Sequence, residues 1–239
     1  MQFLLNNEVQ KISQVNTEQL VSETAKLYQS IFAMEPWNEA GIDSKGNPIE
    51  ISRLHDGFTP FHSIQSISWR IREVIDSPES IFLISATQKK FTINSEILTS
   101  IQPISGEFVD ELNPVEINKR QLFINGFLWA TQMPTVDILI TRGDFRIDQA
   151  RVLIDSQRLQ QQSIFINEMA IDKRFQQSNV GRKLKDMLEI ELDSKKLPVF
   201  ANAIMDSGAF KLFEQMGGRV ISGPGVHDKE SYVLSMKKY

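Results

Sequence analysis

Hydrophobic and polar positions follow two periods along this chain. From Thr17 to Phe32, Leu20, Val21, Ala25, Leu27, Tyr28, Ile31 and Phe32 recur on one helical face, and Asn16 or Thr17 is placed to cap the start. Ser63–Ile75 repeats the helical pattern and stops before Ser77-Pro78. Ile81–Ala86 and Leu122–Thr131 are apolar and β-rich and read as strands. Asp43–Pro60, rich in Gly, Pro and polar residues, reads as a loop. Gln88–Arg120 mixes strand-like pieces with Asn113-Pro114 and yields no assignment. Asp148–Gln162 reads as a polar helix rich in Gln and Arg.

The last third is the clearest. Ser163–Ile171 predicts a strand and Asn179–Ser194 a helix, with Val180, Leu184, Met187 and Leu188 as its buried stripe. Pro198–Ile204 predicts a strand, and Ser207–Met216 a helix ended by Gly217-Gly218. Arg219–Ile221 and Ser231–Met236 predict a closing strand pair around a turn containing Gly223-Pro224-Gly225. Strands alternating with helices argue for an α/β fold, without internal repeat or linker.

Composition narrows the classes. At roughly 100–200 residues per domain, 239 residues make one large domain or two small ones. The formal charge of -4 weighs against a general nucleic-acid binder, which needs an excess of Lys and Arg. The absence of cysteine removes disulfides, thiolate zinc sites and cysteine nucleophiles. The start, Met1-Gln2-Phe3-Leu4-Leu5, lacks the basic and apolar regions of a signal peptide. No run approaches the roughly 18 apolar residues of a membrane span. A cytoplasmic protein is expected.

Candidate chemistry concentrates in Ile171–Leu184. There a strand ends, a polar loop follows and an amphipathic helix begins, which gathers backbone N–H groups and the positive end of a helix dipole in one turn. Such a turn suits an anion. Gly181 lets the backbone approach a phosphate, and Asn179 tolerates a positive φ better than any residue but glycine. Arg174, Arg182 and Lys183 add positive charge. On local chemistry alone, an ordinary strand–turn–helix connection with solvated charges fits equally well.

This stretch resembles the acyl-CoA-binding motif of the GNAT superfamily, Gln/Arg-x-x-Gly-x-Gly/Ala after a strand ending in Val or Ile. Ile171 falls at the strand end, Gln176 on the first motif position, Asn179 on the fourth in place of Gly, and Gly181 on the sixth. Asp206, Ala209, Phe213 and Gly217 resemble the later motif Asn-x-x-Ala-x-x-x-Tyr-x-x-x-Gly, with Asp for Asn and Phe for Tyr. Leu27-Tyr28, Phe32 and Pro36-Trp37-Asn38-Glu39 resemble the family's first helix and loop, and Gly126-Phe127 its third strand. The resemblance covers Ile164–Met236 and extends more loosely over Leu20–Thr131. It makes Gln88–Arg120 and Met133–Gln162 long insertions in a single domain spanning 1–239.

The resemblance implies a central mixed, mostly antiparallel sheet flanked by helices, and transfer of an acetyl group from acetyl-CoA to an amine. The strand at Asn167–Ile171 is expected to splay from its neighbour near Pro198–Ala203. Its backbone at Met169 and Ile171 would then hydrogen-bond the pantetheine arm, and a backbone N–H there could polarise the thioester carbonyl. Gln176, Gln177, Ser178, Asn179, Val180, Gly181 and Arg182 would hold the pyrophosphate. An acceptor amine with a pKa of about 10.4 costs about 4–5 kcal/mol to deprotonate at neutral pH, so a base helps. Glu168 is the only carboxylate between Ser163 and Ile171. In a regular strand, however, Asn167 rather than Glu168 shares a face with Met169 and Ile171. Glu168 is as readily a structural or surface carboxylate.

Phe213 stands where relatives carry a tyrosine that protonates the departing thiolate, and a phenyl ring has no proton to give. That leaves an alternative, a catalytically silent acyl-CoA-binding or sensor module. His55, His62 and His227 lack metal-ligand spacing, and no metal is expected. Gly223-Pro224-Gly225 lacks the third glycine of a dinucleotide fingerprint. The expected partners are a small-molecule or peptide amine and, at most, a second copy of the chain in a homodimer, with neither nucleic acid nor membrane.

Overall fold

In a computed structural model of the chain, the described residues are 2–5, 8–11, 16–32, 64–87, 113–117, 120–176, 178–204, 207–222 and 231–236. They belong to two compact units. One comprises Met1–Ser77, Leu83–Phe127 and Ala170–Val180; the other comprises Pro78–Phe82, Leu128–Met169 and Gly181–Tyr239.

In the first unit, β1 (Gln2–Leu5) pairs antiparallel with β2 (Glu8–Lys11) and parallel with the Leu83–Ala86 part of β3 (Ser80–Thr87). β4 (Val115–Ile117) lies antiparallel on the start of β5 (Arg120–Pro134), Val115 opposite Leu122. The strand order is β2-β1-β3-β5. Asn16 caps α1 (Thr17–Phe32), its Oδ1 accepting the Gln19 N–H at 3.1 Å. The periodic stripe of α1 is the buried one: Leu20, Val21, Ala25, Leu27, Tyr28 and Phe32. α2 (Ile64–Asp76) packs on α1 and buries Ile67 and Ile71. Tyr28 is the aromatic hub, its ring 4.5 Å from that of Phe32 and 6.3 Å from that of Phe127.

Glu23 of α1 is only 3% exposed. Its carboxylate accepts the Asn113 N–H at 2.7 Å and pairs with the Lys26 ammonium at 2.7 Å, so the buried charge is neutralised and hydrogen-bonded. Gln19 Nε2 donates to the Pro114 carbonyl, and the Asn16 N–H donates to the Glu116 carbonyl at 3.3 Å. These bonds tie the chain entering β4 to the first turns of α1.

In the second unit the strand order is β5-β6-β7-β9-β8. After β5 come α3 (Thr135–Gly143), α4 (Ile147–Gln157), β6 (Gln162–Ile171), α5 (Val180–Lys195), β7 (Val199–Ile204), α6 (Gly208–Gln215), β8 (Arg219–Ser222) and β9 (Ser231–Met236). β7 and β9 are antiparallel, Val199 opposite Met236 and Ile204 opposite Ser231. β8 pairs antiparallel with β9 through a register shift between Val220 and Ser222. One core unites Ile138 and Leu139 of α3, Ala150 of α4, Phe165 of β6 and Phe200 of β7. Thr135 fixes the entry to α3: its N–H donates to the Gln161 carbonyl at 2.8 Å, and its hydroxyl meets that of Ser163 at 2.6 Å.

The pairings β1·β2, β4·β5, β7·β9 and β8·β9 are antiparallel, while β1·β3 and β6·β7 are parallel. The expected mixed, mostly antiparallel sheet accompanied by helices is therefore present. No helix among the described residues is long and apolar enough to cross a membrane.

Three differences from the sequence reading have physical causes. β1 and β2 are four residues each, too short for a period to declare itself. α3 was not anticipated within 133–147; its run Val-Asp-Ile-Leu-Ile is rich in β-branched residues, and its N-cap, Pro134, makes no side-chain cap bond. The helix expected over Asp148–Gln162 runs Ile147–Gln157 and ends at Arg158, which adopts a left-handed φ of 51°. Arginine gives no stop signal of the kind glycine gives. The turn at Gly223-Pro224-Gly225, the three histidines, the loop Asp43–Pro60 and most of Gln88–Arg120 lie outside the described residues.

α6 shows both end signals. Ser207 Oγ accepts the Phe210 N–H at 3.0 Å at the start. At the end, the Gly217 N–H donates to the Glu214 carbonyl and the Gly218 N–H to the Phe213 carbonyl, each at 2.9 Å, with Gly217 at φ 81°. That is a Schellman closure. A Cβ at Gly217 or at Gly208 would meet nothing within 4 Å, so only backbone conformation separates the two sites. Gly217→Ala is expected to lower unfolding free energy by about 1–2 kcal/mol. Gly208→Ala should leave it unchanged or raise it by up to about 1 kcal/mol. Thermal or urea unfolding of both variants checks the opposite signs.

Candidate functional site

β6 and β7 are neighbours for only part of their length. The parallel register runs Ile164–Val199, Phe165–Phe200 and Ile166–Ala201, and then stops. Both strands continue, β6 through 167–171 and β7 through 202–204. The Ile164 N–H donates to the Pro198 carbonyl at 2.8 Å, which fixes the direction of every later peptide in β6. By alternation, the main-chain groups of Ile166 and Glu168 point toward β7, and those of Asn167 and Met169 point away from it. Continued pairing would have joined the Glu168 N–H to the Asn202 carbonyl, and the ladder ends one step short of that bond.

Side chains alternate as well. Phe165 and Phe200 face the α3–α4 core, so Asn167 and Asn202, each two residues further on, share that face. The two asparagines occupy matching positions, one residue past the last pair. Asn167 is half-buried, and its Nδ2 donates to Thr131 Oγ1 at 2.9 Å and more weakly to the Phe165 carbonyl at 3.4 Å. β5 therefore holds its side chain in place. Asn202 Oδ1 is buried without a hydrogen-bond partner. Sequence reasoning passed over Asn202; its signal was a single amide inside the apolar strand Val-Phe-Ala-Asn-Ala-Ile. Glu168 and Met169 are half-buried. By alternation, Glu168 takes the face opposite Asn167. Met169, expected to offer its backbone to a ligand, turns that backbone away from β7, and Glu168 is the residue whose backbone faces the opening.

After β6 the chain enters a single 3-10 turn, Lys173–Phe175. Asp172, 6% exposed, caps it by accepting the Arg174 N–H at 2.9 Å, and its own N–H donates to the Asn125 carbonyl at 3.0 Å. The Arg174 guanidinium doubles back onto the Asp172 carboxylate, with Nε at 2.9 Å from Oδ1. Its charge is thereby committed locally. The Gln176 N–H donates to the Lys173 carbonyl at 3.4 Å, and both the N–H and the hydroxyl of Ser178 donate to the Phe175 carbonyl. Gln176 and Ser178 are exposed, Ile171 is half-buried, and Gln177 lies outside the described residues.

Asn179 adopts φ 65°, the left-handed conformation that the motif fills with glycine. α5 begins at the next residue, Val180, whose side chain is buried. Val180, Gly181 and Arg182 form its first turn, whose N–H groups have no carbonyl within the helix to bond. The main-chain donors left over by the helix therefore sit at 180–182. Lys185, one turn on, is held by Asp186 at 2.9 Å and Glu189 at 3.0 Å. The Asp186 hydrogen bond, with help from Glu189 and against desolvation, raises its ammonium pKa above the usual lysine value. Arg182 and Lys183 carry the remaining positive charge on this turn, with no ion pair among the described residues.

Phe213 lies on α6 and is 2% exposed. Its carbonyl accepts the Met216 and Gly218 N–H groups, so the residue also closes the helix. Asp206 lies outside the described residues. Among the described residues, no group of three or more His, Asp or Glu could hold a metal ion.

No family model and no curated protein matches the chain. Several solved structures do. Arabidopsis thaliana NAA60 in complex with acetyl-CoA is 12% identical, covers 70% of this chain and 81% of its own, and has a TM-score of 0.43. The ribosomal-protein-S18-alanine N-acetyltransferase from Escherichia coli is 14% identical over 52% of this chain and 65% of its own, at 0.31. The Bacillus subtilis N-acetyltransferase YlbP in complex with Coenzyme-A is 16% identical over 53% of this chain and 68% of its own, at 0.30.

The positive φ of Asn179 predicts a pattern in substitutions. Asn179→Gly should keep or slightly raise the unfolding midpoint. Asn179→Val, β-branched and barred from that conformation, should cost at least about 1–2 kcal/mol. Thermal unfolding of the two variants checks it; equal stability would mean that the turn does not use a left-handed residue.

Proposed function

We propose that the chain is an N-acyltransferase of the GNAT superfamily, which passes an acetyl group from acetyl-CoA to an amine. The observation that carries the reading is the parallel ladder of β6 and β7, which stops after three residue pairs while both strands run on. A strand edge released in this way offers backbone donors and acceptors to an extended, amide-bearing arm such as pantetheine. Asn179 at positive φ, followed directly by the first turn of α5, supports a pyrophosphate site at the N–H groups of Val180, Gly181 and Arg182.

In this reading the neutral amine attacks the thioester carbonyl carbon. The C–N bond forms, the C–S bond breaks, and the CoA thiolate leaves and takes a proton. Glu168 accepts the amine proton, directly or through water, and is the group that can titrate for this step on β6. Asn167 cannot serve as a base, because an amide does not take up a proton at neutral pH; held by Thr131, it orients. The Glu168 main chain bonds the arm, Met169 and Ile171 line it with their side chains, and Gln176 and Ser178 shape the turn before the phosphates. Phe213 packs beside the sulfur without donating a proton. Thiol and thiolate exchange near a pKa of about 8.5 in an unperturbed group, so water can supply that proton.

Calorimetry and free-thiol release test this together. The wild-type chain should bind acetyl-CoA, and Gly181→Glu should abolish binding by placing bulk and negative charge on the first turn of α5. Arg182→Ala should cost roughly 1–2 kcal/mol of binding. Glu168→Gln should keep acetyl-CoA affinity and lower turnover with an amine by about 10²–10⁴-fold. Binding without thiol release across an amine panel would make the protein a silent acyl-CoA binder. Unchanged affinity in Gly181→Glu would remove the pyrophosphate from this turn.

A further inference from the structure

We propose that Asn202 is a ligand-binding residue whose side-chain carbonyl accepts a hydrogen bond from an N–H group of the molecule that enters between β6 and β7. For the identity of that molecule the proposal rests on the acyl-transfer reading.

Asn202 Oδ1 is buried and has no hydrogen-bond partner, whereas buried polar atoms in folded proteins are nearly always paired. An isolated amide inside an apolar strand raises no stability by itself, since a leucine of similar shape would fill the place without the desolvation cost. The location then says what the amide is for. Asn202 is the first residue of β7 past its last pair with β6, so it stands where the two strands part. It shares a face with Asn167, whose own amide is fixed by Thr131. On its other side β7 stays fully paired, Asn202 opposite Val233 of β9, so the strand that carries it is held in register. A rigid strand, an opening beside it and a buried acceptor at the mouth make a built position for a donor. The acceptor is neutral, which suits an amide or a deprotonated amine and does not stabilise an ammonium as a carboxylate would.

Two N–H sources have this chemistry: an amide of the pantetheine arm, and the acceptor amine poised for attack. The experiment separates them. Asn202→Leu removes the acceptor while keeping the shape, and Asn202→Asp keeps an acceptor oxygen. For each full-length protein, the CoA dissociation constant is read by calorimetry, the amine KM by thiol release with saturating acetyl-CoA, and the unfolding midpoint without ligand. Asn202→Leu is expected to unfold at the wild-type temperature or above. It should lose about tenfold in CoA affinity if the donor is pantetheine, or raise the amine KM about tenfold at unchanged CoA affinity if the donor is the substrate. Asn202→Asp should lose less than Asn202→Leu in the same quantity. A midpoint lowered by several degrees in Asn202→Leu would overturn the proposal, because Oδ1 would then be satisfied within the protein. CoA affinity and amine KM both within twofold of wild type would overturn it too. So would an Asn202→Asp variant that folds and loses as much as Asn202→Leu. A wild-type protein that neither binds CoA nor releases thiol fails the acyl-transfer reading itself, and the assignment of Asn202 falls with it.

Discussion

The structure turns on where a hydrogen-bond ladder ends. Two parallel strands in register consume each other's main-chain donors and acceptors at every second residue. β6 and β7 do this from Ile164 to Ile166 and then cease, although β7 remains paired with β9 along its whole length, from Val199–Met236 to Ile204–Ser231. Main-chain polar groups near a core require partners. A place where a ladder stops inside a sheet, with both strands prolonged, is therefore a place that suits a ligand.

The neighbouring features fit that constraint. Below the opening, Phe165 and Phe200 lock β6 and β7 together through the core shared with α3 and α4. Above it, the paired phenylalanines give way to two unpaired strand positions occupied by asparagines, Asn167 and Asn202. The change from ring to amide marks the step from packing to polar chemistry. Further along the chain, charge is handled by local neutralisation. Asp172 takes up Arg174, and Asp186 and Glu189 take up Lys185, which leaves Arg182 and Lys183 at the head of α5 without an ion pair among the described residues. An anion meeting this helix start would find N–H groups and side chains not already spent within the protein.

Much of the last third was legible in the sequence because independent signals agreed there. The change from strand to helix periodicity located β6, α5, β7 and α6, and Gly217-Gly218 announced the helix end that the Schellman bonds realise. Asn179 could be read as a positive-φ residue because asparagine is the usual substitute for glycine in that conformation. Elsewhere the signals were weak or contradictory. β1 is four residues of mixed character, and α3 carries a β-like aliphatic run without a capping side chain. Arg158 ends α4 in a conformation its identity does not advertise. At the site, strand parity sets Asn167 and Glu168 on opposite faces, but periodicity says nothing about where a ladder breaks. The register of β6 against β7 depends on long-range pairing, and the meaning of Asn202 follows from that register.

The central claim is that the parted segments of β6 and β7 receive an extended ligand. Amide hydrogen exchange followed by mass spectrometry, with and without saturating acetyl-CoA, measures it directly. The amides of Glu168 and Ile204, which face the opening, should slow on addition of the ligand, while those of Ile164, Ile166 and Phe200, already paired between the strands, should not change. Protection confined to segments away from these strands, or no change anywhere at saturation, would contradict the account.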